Sequence, residues 1–270
     1  MFKSAMNVDH KRLLYIFCVT LEQPSLQSYP GCDEIIFLDI DGLYATIKYV
    51  SEDDYSEVNI KKRLSDESWL DSNVREHLRV IGLIMQVDTV IPFNFGTIYK
   101  SEESLKHFIH THVNDFKKSL LYLENKEEWS VKAFCNKQKI LENIVVLSSN
   151  VADIEAQIKE SSPGKAYILK KKKSDILGKE ISNIYNTISK HVFTCMNELP
   201  VDYRLNPVSL EKLSEDDDDM IINATFLLRK ENIDTFITRT DSLMIEHENI
   251  GLSLEVKGPW PPYSFINLSN

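Results

Sequence analysis

Residues 34–50 read EIIFLDIDGLYATIKYV, and this stretch decides the fold class. Its two halves, Glu34–Ile40 and Tyr44–Val50, are rich in β-branched and aromatic residues, so they predict two strands. Asp41-Gly42 joins them, and Asp-Gly between two apolar runs is the strongest short-range signal of a hairpin. The stretch therefore predicts an antiparallel sheet in the first half of the chain.

The neighbouring segments predict further strands and covering helices. Leu13–Val19 is apolar on both faces, which predicts a central strand that is covered on both sides. Asp71–Val87 predicts a helix because its apolar residues form one stripe at helical spacing, namely Val74, Leu78, Ile81 and Met85. A short strand is predicted at Thr89–Ile91 and a second helix after Ser101, so the first half runs β-β-β-α-β-α.

The second half predicts a ferredoxin-like order of elements. Its predicted elements are, in order, a strand (Glu128–Phe134), a mostly helical segment (Lys137–Ser162), a long helix between Pro163-Gly164 and Pro200, two strands (Val201–Asn206 and Met220–Leu228), a helix (Glu231–Glu246) and a strand (Leu252–Val256). The order β-α-β-β-α-β is that of the split βαβ layer. We therefore predict an α+β protein of two domains, residues 1–134 and 135–270. Each domain is expected to be an antiparallel sheet with helices on one face, a variant of the ferredoxin-like fold.

Composition and charge limit the classes of partner. The 270 residues carry a formal net charge of −10, which disfavours binding to nucleic acid because phosphate backbones are repelled. The apolar runs stay well below the ~18 residues of a membrane helix, so no membrane span is expected. The scattered cysteines are interpreted as reduced thiols of a cytoplasmic protein, namely Cys18, Cys32, Cys135 and Cys195.

The sequence predicts neither catalysis nor a bound metal or cofactor. GxSxG, HExxH and GxxxxGK[ST] motifs are absent from the sequence. His107, His110 and His112 fall on one predicted helix, but we interpret them as surface or partly buried histidines. The acidic run Glu215–Asp219 lacks the ligand spacing of a calcium loop and predicts a solvated loop. Lys170–Lys173 is interpreted as a hydrated helix face, with contact to an acidic partner as the alternative.

The C-terminal segment is unusual in its aromatic and proline content. Residues 258–265 read GPWPPYSF, and three prolines in four positions hold the backbone near polyproline II. Trp260, Tyr263 and Phe265 project from this stiff segment. It suits docking into an aromatic-lined groove of a partner. The alternative is a strap over the protein's own core, which is favoured because exposed aromatic clusters invite aggregation.

These residues resemble the gas vesicle protein F/L family. GPWPPYSF resembles the hallmark ending of that family, and this octapeptide is the specific element. Other segments that resemble the family are LLYIFCV (13–19), Trp69–Tyr99, EEWSVKAF (127–134) and PGKAYILKKK (163–172). Their order and spacing hold from end to end, so the resemblance covers nearly the whole chain.

The resemblance implies an accessory protein for gas vesicle assembly, cytoplasmic and associated with gas vesicles. It implies binding to the shell protein and to other vesicle accessory proteins, in a chaperone-like or nucleating role, with no catalytic residues and no cofactor. The expected partner-binding residues are those of the Phe93–Phe95 turn and the tail, namely Phe93, Phe95, Trp260, Tyr263 and Phe265. Asn94 stands where the family often has a basic residue, which weakens the case for a charge-based contact there.

Two other functions compete with this interpretation. A small-molecule enzyme or sensor on tandem ferredoxin-like domains would need a deep pocket lined by convergent polar groups. An RNA binder would show exposed aromatic residues on a basic sheet face, against which the net charge argues.

Overall fold

The computed structural model describes residues 12–25, 33–208 and 218–266, and contains two antiparallel sheets flanked by helices. The predicted α+β class is therefore confirmed. The chain divides into two compact units. The first comprises the chain up to Asn125 together with the segment from Trp260 onward, and the second comprises Lys126–Pro259.

This division differs from the expected boundary between residues 134 and 135. The strand Lys126–Asn136 lies in the second unit, because it pairs with the strand Asp218–Arg229 from Lys126 to Asn136. The aromatic tail, which we expected in the second domain, belongs to the first unit.

The sheet of the first unit is built around one fully buried strand. Its strands are β1 (Arg12–Thr20), β2 (Ile35–Ile40), β3 (Leu43–Ser51), β4 (Ile91–Pro92) and β5 (Ile98–Tyr99). The order is β2-β3-β1-β4, with β5 also paired to β1. Every residue of β1 from Leu13 to Thr20 is buried, which confirms that it is a central strand covered on both faces.

The predicted hairpin is present between β2 and β3. Ile40 faces Leu43 across the turn, and both turn residues have positive φ, 55° at Asp41 and 73° at Gly42. Two positive φ values are what a type I′ turn requires, and a β-branched residue would be strained there. The Asp39 carboxylate accepts the Gly42 N–H at 3.2 Å and supports the turn.

The helices of the first unit are α1 (Glu52–Tyr55), α2 (Glu57–Arg63), α3 (Glu67–Met85), α4 (Glu102–Thr111) and α5 (Val113–Leu123). Helix α3 begins four residues before the predicted start. The Asp66 carboxylate accepts the N–H groups of Ser68 and Trp69, both at 3.1 Å, and so caps the helix. This cap places Trp69 in the first turn of α3.

The second unit has the predicted β-α-β-β-α-β order, with its first crossover made of three helices. Its strands are β6 (Lys126–Asn136), β7 (Asp202–Leu205), β8 (Asp218–Arg229) and β9 (Ser253–Trp260, whose last residue is counted with the first unit). Its helices are α6 (Lys137–Leu147), α7 (Ser149–Glu160), α8 (Pro163–Met196) and α9 (Ile233–Glu246). The strand order is β7-β8-β6-β9, and within the described residues no helix is long and apolar enough to cross a membrane.

Candidate partner-binding site

The C-terminal segment of the first unit is largely buried. Pro261 and Pro262 are buried, and the Phe265 side chain is 1% exposed. Tyr263–Phe265 forms one turn of 3₁₀ helix, in which the Tyr263 N–H donates to the Pro261 carbonyl at 2.7 Å. The segment is therefore packed into its own unit through its prolines and through Phe265.

The polar centre of the site is a buried histidine of α3. The Nδ1 atom of His77 lies 2.9 Å from the Tyr15 hydroxyl, and its Nε2 atom lies 3.0 Å from the Phe93 carbonyl oxygen. The Tyr263 hydroxyl lies 3.1 Å from the same Nε2 atom and donates to the Phe93 carbonyl at 3.1 Å. We call Tyr15, His77, Phe93 and Tyr263 the His77 network. It joins β1, α3, the turn after β4 and the tail.

The partners of His77 fix its tautomer. A carbonyl oxygen only accepts hydrogen bonds, so Nε2 carries the proton and Nδ1 accepts from the Tyr15 hydroxyl. The Tyr15 oxygen in turn accepts the Gly96 N–H at 3.2 Å. Burial lowers the pKa of His77 to about 4 and also raises the pKa of Tyr15. The network is thus made of neutral groups at neutral pH.

Aromatic rings surround this network and reach the surface of the unit. The ring centroid of Tyr15 lies 6.0 Å from that of Tyr55 and 6.3 Å from that of Phe95. The ring centroid of Trp69 lies 5.7 Å from that of Tyr55 and 6.4 Å from that of Phe95. Tyr15 is buried, whereas the other three are half-buried. We call Tyr55, Trp69 and Phe95 the aromatic surface. Such half-buried rings offer large contact area, and aromatic residues are enriched in protein interfaces.

The structure separates the five predicted partner-binding residues by exposure. Phe93 and Phe265 are interior, and the Phe93 ring contacts those of Phe108 and Phe116 at 6.2 and 6.1 Å. Phe95 and Tyr263 are half-buried, and the Trp260 side chain is 41% exposed. A partner contact through any of the five stays a prediction.

Sequence reasoning missed Tyr15, Tyr55, Trp69 and His77 as parts of this site. A signal existed for His77, which lies four residues before Ile81 and so shares a helix face with it; the structure buries both. Tyr55 has no such signal, because its place beside Trp69 depends on how α1 and α3 pack.

The other sequence features have separate partners. His110 Nδ1 lies 2.6 Å from the Asp41 carboxylate, whereas His112 Nδ1 lies 2.8 Å from the Phe108 carbonyl. Lys170, Lys171 and Lys172 are exposed, and Lys173 forms an ion pair with Glu155. Of the acidic run, Asp218 and Asp219 belong to β8; residues 215–217 lie outside the described residues, as does Cys32.

Comparison with known proteins identifies the family. The family described as gas vesicle synthesis protein GvpL/GvpF matches residues 13–267. The chain belongs to this family. It is 21% identical to gas vesicle protein L of a Streptomyces species over 238 residues, 84% of this chain and 81% of the relative. It is 20% identical to gas vesicle protein L1 of Halobacterium salinarum over 262 residues, 93% of this chain and 89% of the relative.

Solved structures of the GvpL/GvpF family share the fold. The crystal structure of GvpF from an Anabaena species superposes with a TM-score of 0.67 at 18% identity, covering 96% of this chain and 99% of the other. The crystal structure of GvpF from Microcystis aeruginosa superposes with a TM-score of 0.65 at 17% identity, covering 95% of this chain and 99% of the other. The expected family and fold are therefore confirmed, and membership supports a role in gas vesicle formation.

The Tyr263 hydroxyl gives a first prediction. Replacing Tyr263 with phenylalanine is expected to lower the free energy of unfolding by about 1 kcal/mol, because the hydroxyl bonds to His77 and to Phe93 are lost. Urea unfolding measures the change. Tyr167→Phe is the matched control, since Tyr167 is 73% exposed. Equal stability of the two variants would show that the tail is not held by this hydroxyl.

Proposed function

We propose that this protein is an accessory factor of gas vesicle assembly that binds the gas vesicle shell protein, or another vesicle protein, in a chaperone-like or nucleating role. The observation that carries the proposal is the match to gas vesicle synthesis proteins over residues 13–267. The aromatic surface supplies a place for the contact, because Tyr55, Trp69 and Phe95 are clustered and half-buried.

The chemistry of the aromatic surface suits an apolar partner. A shell subunit with an apolar, gas-facing side would aggregate before assembly unless a soluble protein covered that side. Aromatic residues commonly supply much of the binding energy of an interface. Tyr55 is held in place by its hydroxyl, which donates to Asn73 Oδ1 at 2.8 Å, so little side-chain freedom is lost on binding.

Charge supports the same proposal through the rate of encounter. The formal net charge of −10 attracts a partner with a basic segment and repels other acidic chains. The aromatic surface would then hold the partner once the long-range attraction had brought it close.

A binding experiment tests the proposal. Tagged wild-type protein is expected to retain the shell protein or another vesicle protein, and Trp69→Ala plus Phe95→Ala is expected to weaken binding at least ~10-fold. Leu121→Ala is the matched control, because Leu121 is an exposed apolar residue of the same unit, 61% exposed. Trp260→Ala is measured in parallel to test the tail.

Two outcomes would oppose the proposal. Wild-type protein that retains neither shell protein nor any other vesicle protein would remove the assembly role. Unchanged binding by the Trp69→Ala plus Phe95→Ala protein, with its fold verified by circular dichroism, would remove the aromatic surface and leave Trp260 as the element to pursue.

The small-molecule alternative has one feature in its favour. An open groove of about 440 Å³ on the first unit is lined by Arg12, Glu34, Ile36, Tyr49, Val50 and Ser51, a size that suits a ligand. Two of its polar side chains are already engaged, however. The Tyr49 hydroxyl donates to Glu102 at 2.5 Å, and Glu34 pairs with Lys48 at 2.8 Å. The groove therefore supports ligand binding less well than the aromatic surface supports protein binding.

A further inference from the structure

A cluster of metal-ligating side chains lies in the second unit, between the ends of α8 and α9. His191 Nε2 lies 3.3 Å from Glu246 Oε1, and His247 Nε2 lies 3.8 Å from the same oxygen. One ligand atom from each of the three residues lies within 4.8 Å of the other two. The two imidazole rings lie 5.2 Å apart at 80° to one another.

These separations suit a tetrahedral ion. Zinc binds imidazole nitrogen at about 2.0–2.1 Å and carboxylate oxygen at about 2.0–2.2 Å, so two neighbouring ligands of one tetrahedral zinc are about 3.3–3.5 Å apart. The separation of His191 Nε2 from Glu246 Oε1, 3.3 Å, already has this value. His247 has to approach Glu246 by a few tenths of an ångström from 3.8 Å, and the ligand nitrogens of the two histidines, which lie within 4.8 Å of each other, have to approach to the same separation by side-chain rotation.

His247 supplies an observation independent of this spacing. Its Nε2 atom is buried and has no hydrogen-bond partner. Buried polar atoms nearly always have a partner, so an unsatisfied one calls for a ligand or another explanation. The neighbouring Glu246 oxygen, at 3.8 Å, is too far away to serve as a hydrogen-bond acceptor. An ion between the two groups would satisfy both.

The helices that carry the ligands are fixed to one another. The Arg239 guanidinium of α9 donates to the Cys195 carbonyl at 2.8 Å and to the Glu198 carboxylate at 2.6 Å, both at the end of α8. His247 is the C-cap residue of α9, and its backbone N–H donates to the Leu243 carbonyl at 3.1 Å. Ligands on anchored helices are preorganised, which lowers the cost of binding an ion.

We propose that His191, Glu246 and His247 bind a divalent transition metal, with zinc as the ion that best suits two imidazoles and a carboxylate. Three protein ligands leave one position for water. The Cys195 thiol, one helical turn from His191 and 3.9 Å from its Nε2 atom, lies beside the cluster. The site is in the second unit and does not depend on the aromatic surface.

Metal-stripped protein titrated with zinc against a chromogenic chelator tests the site. Wild-type protein is expected to bind one zinc per chain, and His191→Ala and Glu246→Gln are each expected to weaken that binding at least ~10-fold. His107→Ala plus His110→Ala is the matched control, because it removes two exposed histidines from the first unit. The control protein is expected to bind as wild type does.

Cobalt(II) gives a second readout that does not depend on affinity. Intense visible absorption typical of tetrahedral cobalt is expected for wild type and is expected to be lost in His191→Ala. His191 and Glu246 are 43% and 57% exposed, so neither substitution threatens the fold. The proposal is overturned if wild-type protein binds no stoichiometric zinc, or if both variants bind zinc as tightly as wild type.

Discussion

Replacing Phe265 with alanine is expected to lower the free energy of unfolding of the first unit by about 3–5 kcal/mol. The Phe265 side chain is 1% exposed, so its removal leaves a cavity as well as losing buried apolar surface. Urea unfolding followed by circular dichroism measures the loss. The effect is large because Phe265 supplies core packing to the first unit.

Trp260→Ala is the matched comparison within the same segment. The Trp260 side chain is 41% exposed, so its removal is expected to cost roughly 1 kcal/mol and to leave the core intact. If Phe265→Ala were no more destabilising than Trp260→Ala, the tail would not act as a strap. A binding loss in Trp260→Ala with normal stability would assign partner contact to this residue.

His77 is expected to make the protein lose about 3 kcal/mol of stability as the pH falls from about 6.5 to about 4. Burial lowers the pKa of His77 from 6.5 to about 4 in the folded protein. As the pH falls below 6.5, the unfolded chain binds a proton on this residue before the folded chain does. The stability that neutral His77 contributes is therefore fully present above pH 6.5 and is lost progressively as the pH falls to about 4.

The free energy of unfolding of wild-type protein minus that of His77→Gln, measured as a function of pH, isolates this effect from the other titrating groups. The titratable groups around His77 are Tyr15, Lys48, Tyr55 and Glu76, together with Tyr263, whose hydroxyl bonds to the His77 ring. Glutamine does not titrate, so the His77→Gln variant is expected to lose about 3 kcal/mol less free energy of unfolding than wild-type protein over this pH interval. His107→Gln is the control, because it replaces an exposed histidine of the same unit in the same way. Parallel wild-type and His77→Gln profiles would contradict a buried neutral His77.

Local chemistry explains why much of the fold was predictable. The hairpin at Asp41-Gly42, the helix α3 and the long helix α8 each depend on residues close together in the chain. The predicted apolar stripe of α3 was wrong in part, because Leu78 is exposed and the buried face is His77, Val80, Ile81 and Ile84. The β-α-β-β-α-β order of the second unit follows from the same local patterns. The segment Lys137–Ser162 is confirmed as mostly helical, and it divides where the Ser148 hydroxyl accepts the Val151 N–H at 3.3 Å.

The candidate sites were less predictable, because they join residues that are distant in the chain. His77 meets Tyr15 across 62 positions and Tyr263 across 186. We interpreted His107, His110 and His112, which fall on one predicted helix, as surface or partly buried histidines, and in the structure two of them bond to separate partners. The cluster of His191, Glu246 and His247 forms only when α8 packs on α9.

The class of fold, the order of elements in the second unit and the family could be predicted from the sequence, because hydrophobic periodicity, turn residues and the GPWPPYSF ending are local properties. In the first unit the predicted order β-β-β-α-β-α missed α1, α2 and β5. The place of the tail in the first unit, with Phe265 in the interior and Trp260 at the surface, depends on the folded arrangement of distant segments. Both are large aromatic residues of the same short segment, so the local sequence does not decide which of them is buried. Which one is buried depends on the shape of the core that the distant strands and helices have already formed.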